Sequence, residues 1–255
     1  MNDIRLVRTL EEMSITAWPS LQQVLMDGWM LLFANGYTFR SNSVQPIYSC
    51  DDDVAQKIRR CEELYASAGL PVAFKISPAA QPTQLDSMLE SMGYRQDRRT
   101  SVQVLESLSK PIIGGEEADI RNTPLIGWLD AFSTVSPAPT EMMQYHADIV
   151  GKIPLPICTM VARHDGEPVA CALGVLQYGY VGLYDVYTAP YSRKMGFATK
   201  TIQHILTWAS DLGATRAYLN VMENNSPAIG LYRKLGFQHV YSYWYRIKDT
   251  ESNEG

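Results

Sequence analysis

The chain has 255 residues, 46% apolar and 19% charged, with 22 Lys+Arg against 27 Asp+Glu and so a net charge of −5. That length holds one large domain or two modest ones, and the composition excludes disorder for all but the ends. The acidic balance excludes nucleic acid as the main partner, because affinity for a phosphate backbone comes from clustered Lys and Arg.

Residues 1–12 carry acidic side chains and no apolar core, unlike a secretory signal. No apolar run approaches the ~20 residues that cross a bilayer. Both readings predict a cytoplasmic protein, off the membrane, in which Cys50, Cys61, Cys158 and Cys171 are expected to be reduced. These cysteines form no Cys-x-x-Cys pair, and His146, His164, His204 and His239 form no His-x-x-x-His pair, so no metal is expected. Residues 28–43 mix strand aromatics with Arg40, Asn42 and Ser43. Ile58, Cys61 and Leu64 mark one face of a helix. A strand-like run follows Gly69, and a second short helix runs from Leu85 to Met92 before Gly93. Pro111, Gly114-Gly115 and Glu116-Glu117 then make a polar, turn-rich break, which puts a boundary near Ile120.

Beyond the break, Glu167–Leu176 and Val181–Thr188 read as a hairpin. Ile202, Ile205, Leu206, Ala209 and Leu212 recur at helical spacing up to Gly213. Arg216–Met222 alternates as a strand. A helix with Ser226 as N-cap and Pro227 at its first position runs to Gly236, and Val240–Ile247 closes the sheet. The two halves keep register: Ile58, Cys61 and Gly69 stand 144 residues before Ile202, Ile205 and Gly213. They read as two copies of one α/β unit, over 1–119 and 120–248, with a loose tail at 249–255.

Chemistry concentrates at Arg193-Lys194-Met195-Gly196-Phe197-Ala198-Thr199, where a strand delivers the chain to a helix start. Unsatisfied amides there, the positive end of the helix dipole and two cationic side chains suit a diphosphate. Arg193-x-x-Gly196-x-Ala198 resembles the acyl-CoA loop of the GCN5-related N-acetyltransferases (GNAT). A second stretch, Asn225-x-x-Ala228-x-x-Leu231-Tyr232-x-x-x-Gly236-Phe237, is similar to that family's late motif. Lys194, where the family commonly has Gly, is a departure. In the first copy the loop falls on Ser49-Cys50-Asp51-Asp52-Asp53-Val54, whose carboxylates repel a diphosphate and suit the dipole of their own helix. The resemblance therefore implies a tandem GNAT protein with a degenerate N-terminal copy, an α/β fold in which each unit is a mixed, mostly antiparallel twisted sheet flanked by helices.

The resemblance also implies an acyl-CoA N-acyltransferase that moves acetyl from acetyl-CoA to the primary amine of a small, amino-acid-like acceptor in a ternary complex. Residues 193–199 would hold the CoA diphosphate, Thr188 would lie along pantetheine and Asn225 would touch the cofactor arm. Tyr232 matches the family position that protonates the departing thiolate, and the competing reading is a packed helix tyrosine like Leu89 in the first copy. Asp185, an acid within an apolar-aromatic strand, is the candidate base, with Glu223 its rival and an edge ion pair its plainer role. Backbone amides at 186–188 would polarise the thioester carbonyl. The acceptor pocket is expected between the halves, lined from 28–43 and 241–245. The competing functions are a non-catalytic acyl-CoA-binding regulator, which needs the loop but not Tyr232, and a transferase with another acyl donor or an oxygen nucleophile. The protein is expected to be a monomer or homodimer.

Overall fold

The computed structural model describes residues 3–49, 51, 53–108, 119–136 and 138–249. Most of the turn-rich break (109–118), Cys50, Asp52 and 250–255 of the tail lie outside the described residues. The chain divides into two compact units, one of Met1–Ser101, Asp148–Lys152 and Tyr241–Gly255, the other of Val102–Ala147 and Ile153–Val240.

The first unit contains α1 (Ile4–Ala17), β1 (Gln22–Met26), β2 (Trp29–Phe33), β3 (Val44–Gln45), α2 (Val54–Ser67), β4 (Val72–Ile76), α3 (Leu85–Ser91) and the start of β5 (Arg95–Leu105). Asp27 and Gly28, both at positive φ, make the tight turn that β1 and β2 need to pair antiparallel. Ile58, Cys61 and Tyr65 of α2 are buried against Phe74 of β4 and Leu85 and Leu89 of α3.

The second unit contains β6 (Asp119–Asn122), α4 (Leu125–Val135), the start of α5 (Met143–Gly151), β7 (Ile157–His164), β8 (Glu167–Gln177), β9 (Tyr180–Thr188), α6 (Phe197–Asp211), β10 (Arg216–Met222), α7 (Ser226–Lys234) and the first residues of β11 (Gln238–Lys248). Its sheet order is β10-β9-β8-β7-β6, antiparallel from β6 to β9 and parallel at β9–β10. Ile202, Ile205, Leu206 and Ala209 turn the apolar face of α6 into the core beside Cys158, Val181, Leu183 and Leu219. The helix lies close on β8 because Gly174 has no side chain: a Cβ there would meet Ile205 at 2.5 Å. Each unit is thus the mixed, mostly antiparallel sheet flanked by helices that the sequence predicts.

The units are interleaved along the chain rather than consecutive at 119/120. The strand predicted at Val240–Ile247 exists, but from Tyr241 onward it belongs to the first unit, where Trp244 lies opposite Ile76 and Lys248 opposite Val72. Alternation fixes which face of a strand is buried, not which neighbour it pairs with. Arg246 anchors it: the buried guanidinium donates to Asp86 at 2.7 Å and to Glu90 at 3.0 Å, while the Trp244 indole donates to Asp86 at 2.9 Å. Burial alone would raise the Asp86 pKa, but the bonds from Arg246 and Trp244 outweigh it and hold it below the ordinary value of 3.8. That stability is present above pH 3.8 and is lost as pH falls through the lower folded value. Arg246→Leu is expected to remove about 1–3 kcal/mol at neutral pH and to flatten the acid limb, read by urea unfolding against pH.

Candidate active site

The site is built where β9 stops following its neighbours. Along β8 the register passes from Leu173↔Tyr184 to Cys171↔Tyr187, so Asp185 and Val186 together oppose Ala172 in a β-bulge. Asp185 takes φ +48, a left-handed conformation that Asp tolerates better than most residues and that costs about 1–3 kcal/mol. On the other side, the parallel ladder with β10 ends at Leu219↔Leu183, although β9 runs on to Thr188 and β10 to Met222. A wedge opens there, at the C-terminal ends of two parallel strands, the place where α/β sheets bind ligands.

Asp185 is paired. Its Oδ2 lies 2.9 Å from Nε2 of His146 on α5. The imidazole is 1% exposed and stacks on Phe132 of α4, ring centroids 4.2 Å apart and planes 15° apart, with Trp128 at 5.8 Å. Asp185 is therefore paired to a neighbouring side chain, and the carboxylate still keeps 11% of its surface exposed. Sequence reasoning missed His146: its only signal is a polar residue among the apolar positions of α5, 39 residues from its partner.

Beyond Thr188, whose carbonyl accepts from Arg193 Nε at 3.4 Å, a short 3-10 turn at 190–192 leads into the loop. Lys194 has φ +66 at the position where the resemblance puts Gly. Gly196, at φ +86, is the N-cap of α6. The helix ladder begins with the Lys200 amide on the Gly196 carbonyl, and among the described residues no side chain caps the turn, so the amides of Phe197, Ala198 and Thr199 lie ahead of the ladder. Phe197 is buried against Ala162, Val169 and Ala170 and so fixes the helix start. Met195 is half exposed.

Tyr232 on α7 sits in the apolar core edge-to-face with Phe237, with 8% of its surface exposed. Among the described residues its hydroxyl has no hydrogen-bond partner, and burial pushes its pKa up to about 12. Asn225, not Ser226, caps α7, its side-chain oxygen accepting the Ala228 amide at 3.2 Å. Glu223 follows the end of β10 on the surface.

The matching stretch of the first unit is filled by the protein itself. The Asp27 carboxylate accepts the Asp51 amide at 3.1 Å and pairs with Lys57 at 3.1 Å, while Asp53 caps α2 through the Ala55 amide at 2.8 Å. The aromatic stretches expected to line an acceptor pocket are largely spent within that unit. Trp29, Leu31 and Leu32 are core, Asn42 ties down the Ala34 and Gly36 amides, and Tyr241 donates to Glu11 at 2.6 Å.

A bulged central strand diverging from a parallel neighbour, with an uncapped helix start beyond it, defines a GNAT-type N-acetyltransferase. Residues 5–246 match the family model described as "Probable histone acetyltransferase Rv0428c C-terminal", and the chain belongs to that family. It is 31% identical over 250 residues to the "Uncharacterized N-acetyltransferase YobR" of Bacillus subtilis (strain 168), covering 95% of this chain and 98% of that protein. Among solved structures, a GCN5-related N-acetyltransferase from Kribbella flavida superposes with a TM-score of 0.69 at 16% identity, covering 100% of this chain and 98% of the other. A tandem GNAT protein from the clavulanic acid biosynthesis pathway gives 0.63 at 12% identity, over 96% and 89% of the two chains. The protein is an acyltransferase of this family.

Proposed function

We propose that the protein transfers acetyl from acetyl-CoA to the primary amine of a small, amino-acid-like acceptor by direct attack in a ternary complex. The observation that carries this reading is the uncapped start of α6 beyond the wedge, where Arg193, Lys194 and Gly196 are exposed ahead of the first helical turn. Space for the diphosphate is consistent with Gly196, at which a Cβ would touch no protein atom. Arg193, Lys194 and Met195 would flank the phosphates, residues 196–199 would donate to them, Thr188 would border the pantetheine arm, and the Asn225 NH₂ would reach it.

Asp185 accepts, directly or through water, the proton that the acceptor ammonium gives up so that the neutral amine can attack the thioester carbonyl. A backbone amide of the bulge after Asp185 would face the carbonyl oxygen as its charge grows, a role for which backbone donors need no reorganisation. The Tyr232 hydroxyl donates to the sulfur as the carbon–sulfur bond breaks. In this reading the first copy binds no CoA, because Asp27 and Asp53 already occupy its amides with carboxylates.

Calorimetry with CoA, followed by thiol release from acetyl-CoA with a panel of primary amines and a lysine-rich peptide, tests the proposal. One CoA per chain and turnover with small amines are expected. Absence of heat removes the cofactor assignment. Binding without turnover on any amine supports a regulator, and a preference for longer chains or for alcohols redirects the donor or the nucleophile.

A further inference from the structure

We infer that His146 is a positioning residue for Asp185, fixing the carboxylate in the wedge so that it meets the acceptor amine. This rests on the reading of Asp185 as the proton acceptor. The carboxylate only accepts, so the His146 Nε2 at 2.9 Å must carry the hydrogen between them. The imidazole is buried and cannot itself reach a substrate, which separates a positioning role from a catalytic one. Two independent constraints converge on the same side chain. The bulge holds the Asp185 backbone at φ +48, turning it out of the strand's alternation, and the stack on Phe132, backed by Trp128, fixes the plane of the ring that donates to it. Strain kept within a strand next to a buried donor is what a fixed catalytic geometry requires, because a carboxylate free to rotate spends much of its time aimed elsewhere. Phe132 also meets Tyr187 edge-to-face, so the ring stack of α4 and α5 reaches the part of β9 that borders the wedge.

The test separates donor from stack. His146→Phe keeps an aromatic ring on Phe132 and removes the hydrogen; His146→Gln loses the ring and restores an amide N–H at the Nε2 position. The phenylalanine variant is expected to lose about 10-fold in kcat with the KM for acetyl-CoA within about twofold, the scale of one hydrogen bond to a charged group. The glutamine variant is expected to recover most of that loss, and His146→Phe is expected to add nothing in an Asp185→Asn background. Wild-type kcat in His146→Phe, or equal loss in both variants, overturns the assignment. Nitrogen NMR of the His146 ring keeps the test independent of turnover: Nε2 is expected to be protonated, with a shift that moves in Asp185→Asn. An unmoved shift overturns the pairing, whereas a moved shift in a protein inactive on every amine overturns only the acetyltransfer reading.

Discussion

Tyr232→Phe is expected to lower kcat about 10- to 100-fold while leaving the affinity for CoA within about twofold. The size follows from the burial of the phenol. Its pKa is pushed up to about 12 because the ring lies in the core beside Phe237. An ordinary thiol sits near 8.5, so complete transfer of the phenolic proton to the thiolate would run uphill by ~5 kcal/mol. A hydrogen bond to the developing charge, without full transfer, is worth about 1.5–3 kcal/mol and is lost with the oxygen. Because Tyr232 keeps its proton to about pH 12, wild type and variant are expected to show parallel kcat profiles between about pH 7 and 10. Steady-state thiol release over that range measures both quantities, and an unchanged kcat would remove Tyr232 from the reaction and leave it as a packed core tyrosine.

The loop was legible because its signals are local. A strand end, a Gly able to take φ +86 and a run of helical spacing all lie within about twenty residues, and the same pattern recurs in both copies. Ile58 and Cys61 are as fully buried as Ile202 and Ile205, and Gly69 and Gly213 share positive φ, at +67 and +87. Asp185 could be picked out as an acid in an apolar strand, but its bulge could not, since one extra residue in a ladder is defined only against the partner strand. His146 and the placement of Tyr241–Lys248 were hidden for the same reason. Each depends on a pairing across tens or hundreds of residues that periodicity does not encode. The N-cap of α7 was misread by one position because Asn225 and Ser226 are both good caps, and which one accepts is decided by where the chain leaves β10.

Gly196→Ala is expected to weaken CoA binding about 100-fold or more, and the companion Gly213→Ala shows why that loss belongs to the site. Both glycines flank α6 at nearly the same φ, +86 and +87, and at neither would a Cβ touch another protein atom. Each alanine therefore meets the same backbone penalty of about 1–2 kcal/mol, small against the 5–15 kcal/mol that holds a typical domain folded. Only at Gly196 does relief of that penalty turn the amides of the first helical turn of α6, which no side chain caps among the described residues. In the proposed site, misdirecting two amides that would donate to the CoA diphosphate, at about 1.5–3 kcal/mol each, exceeds the 2.7 kcal/mol of a ~100-fold loss. Thermal unfolding should shift equally in the two variants, while calorimetry with CoA should separate them. Equal affinities in both would mean that the start of α6 does not hold the cofactor.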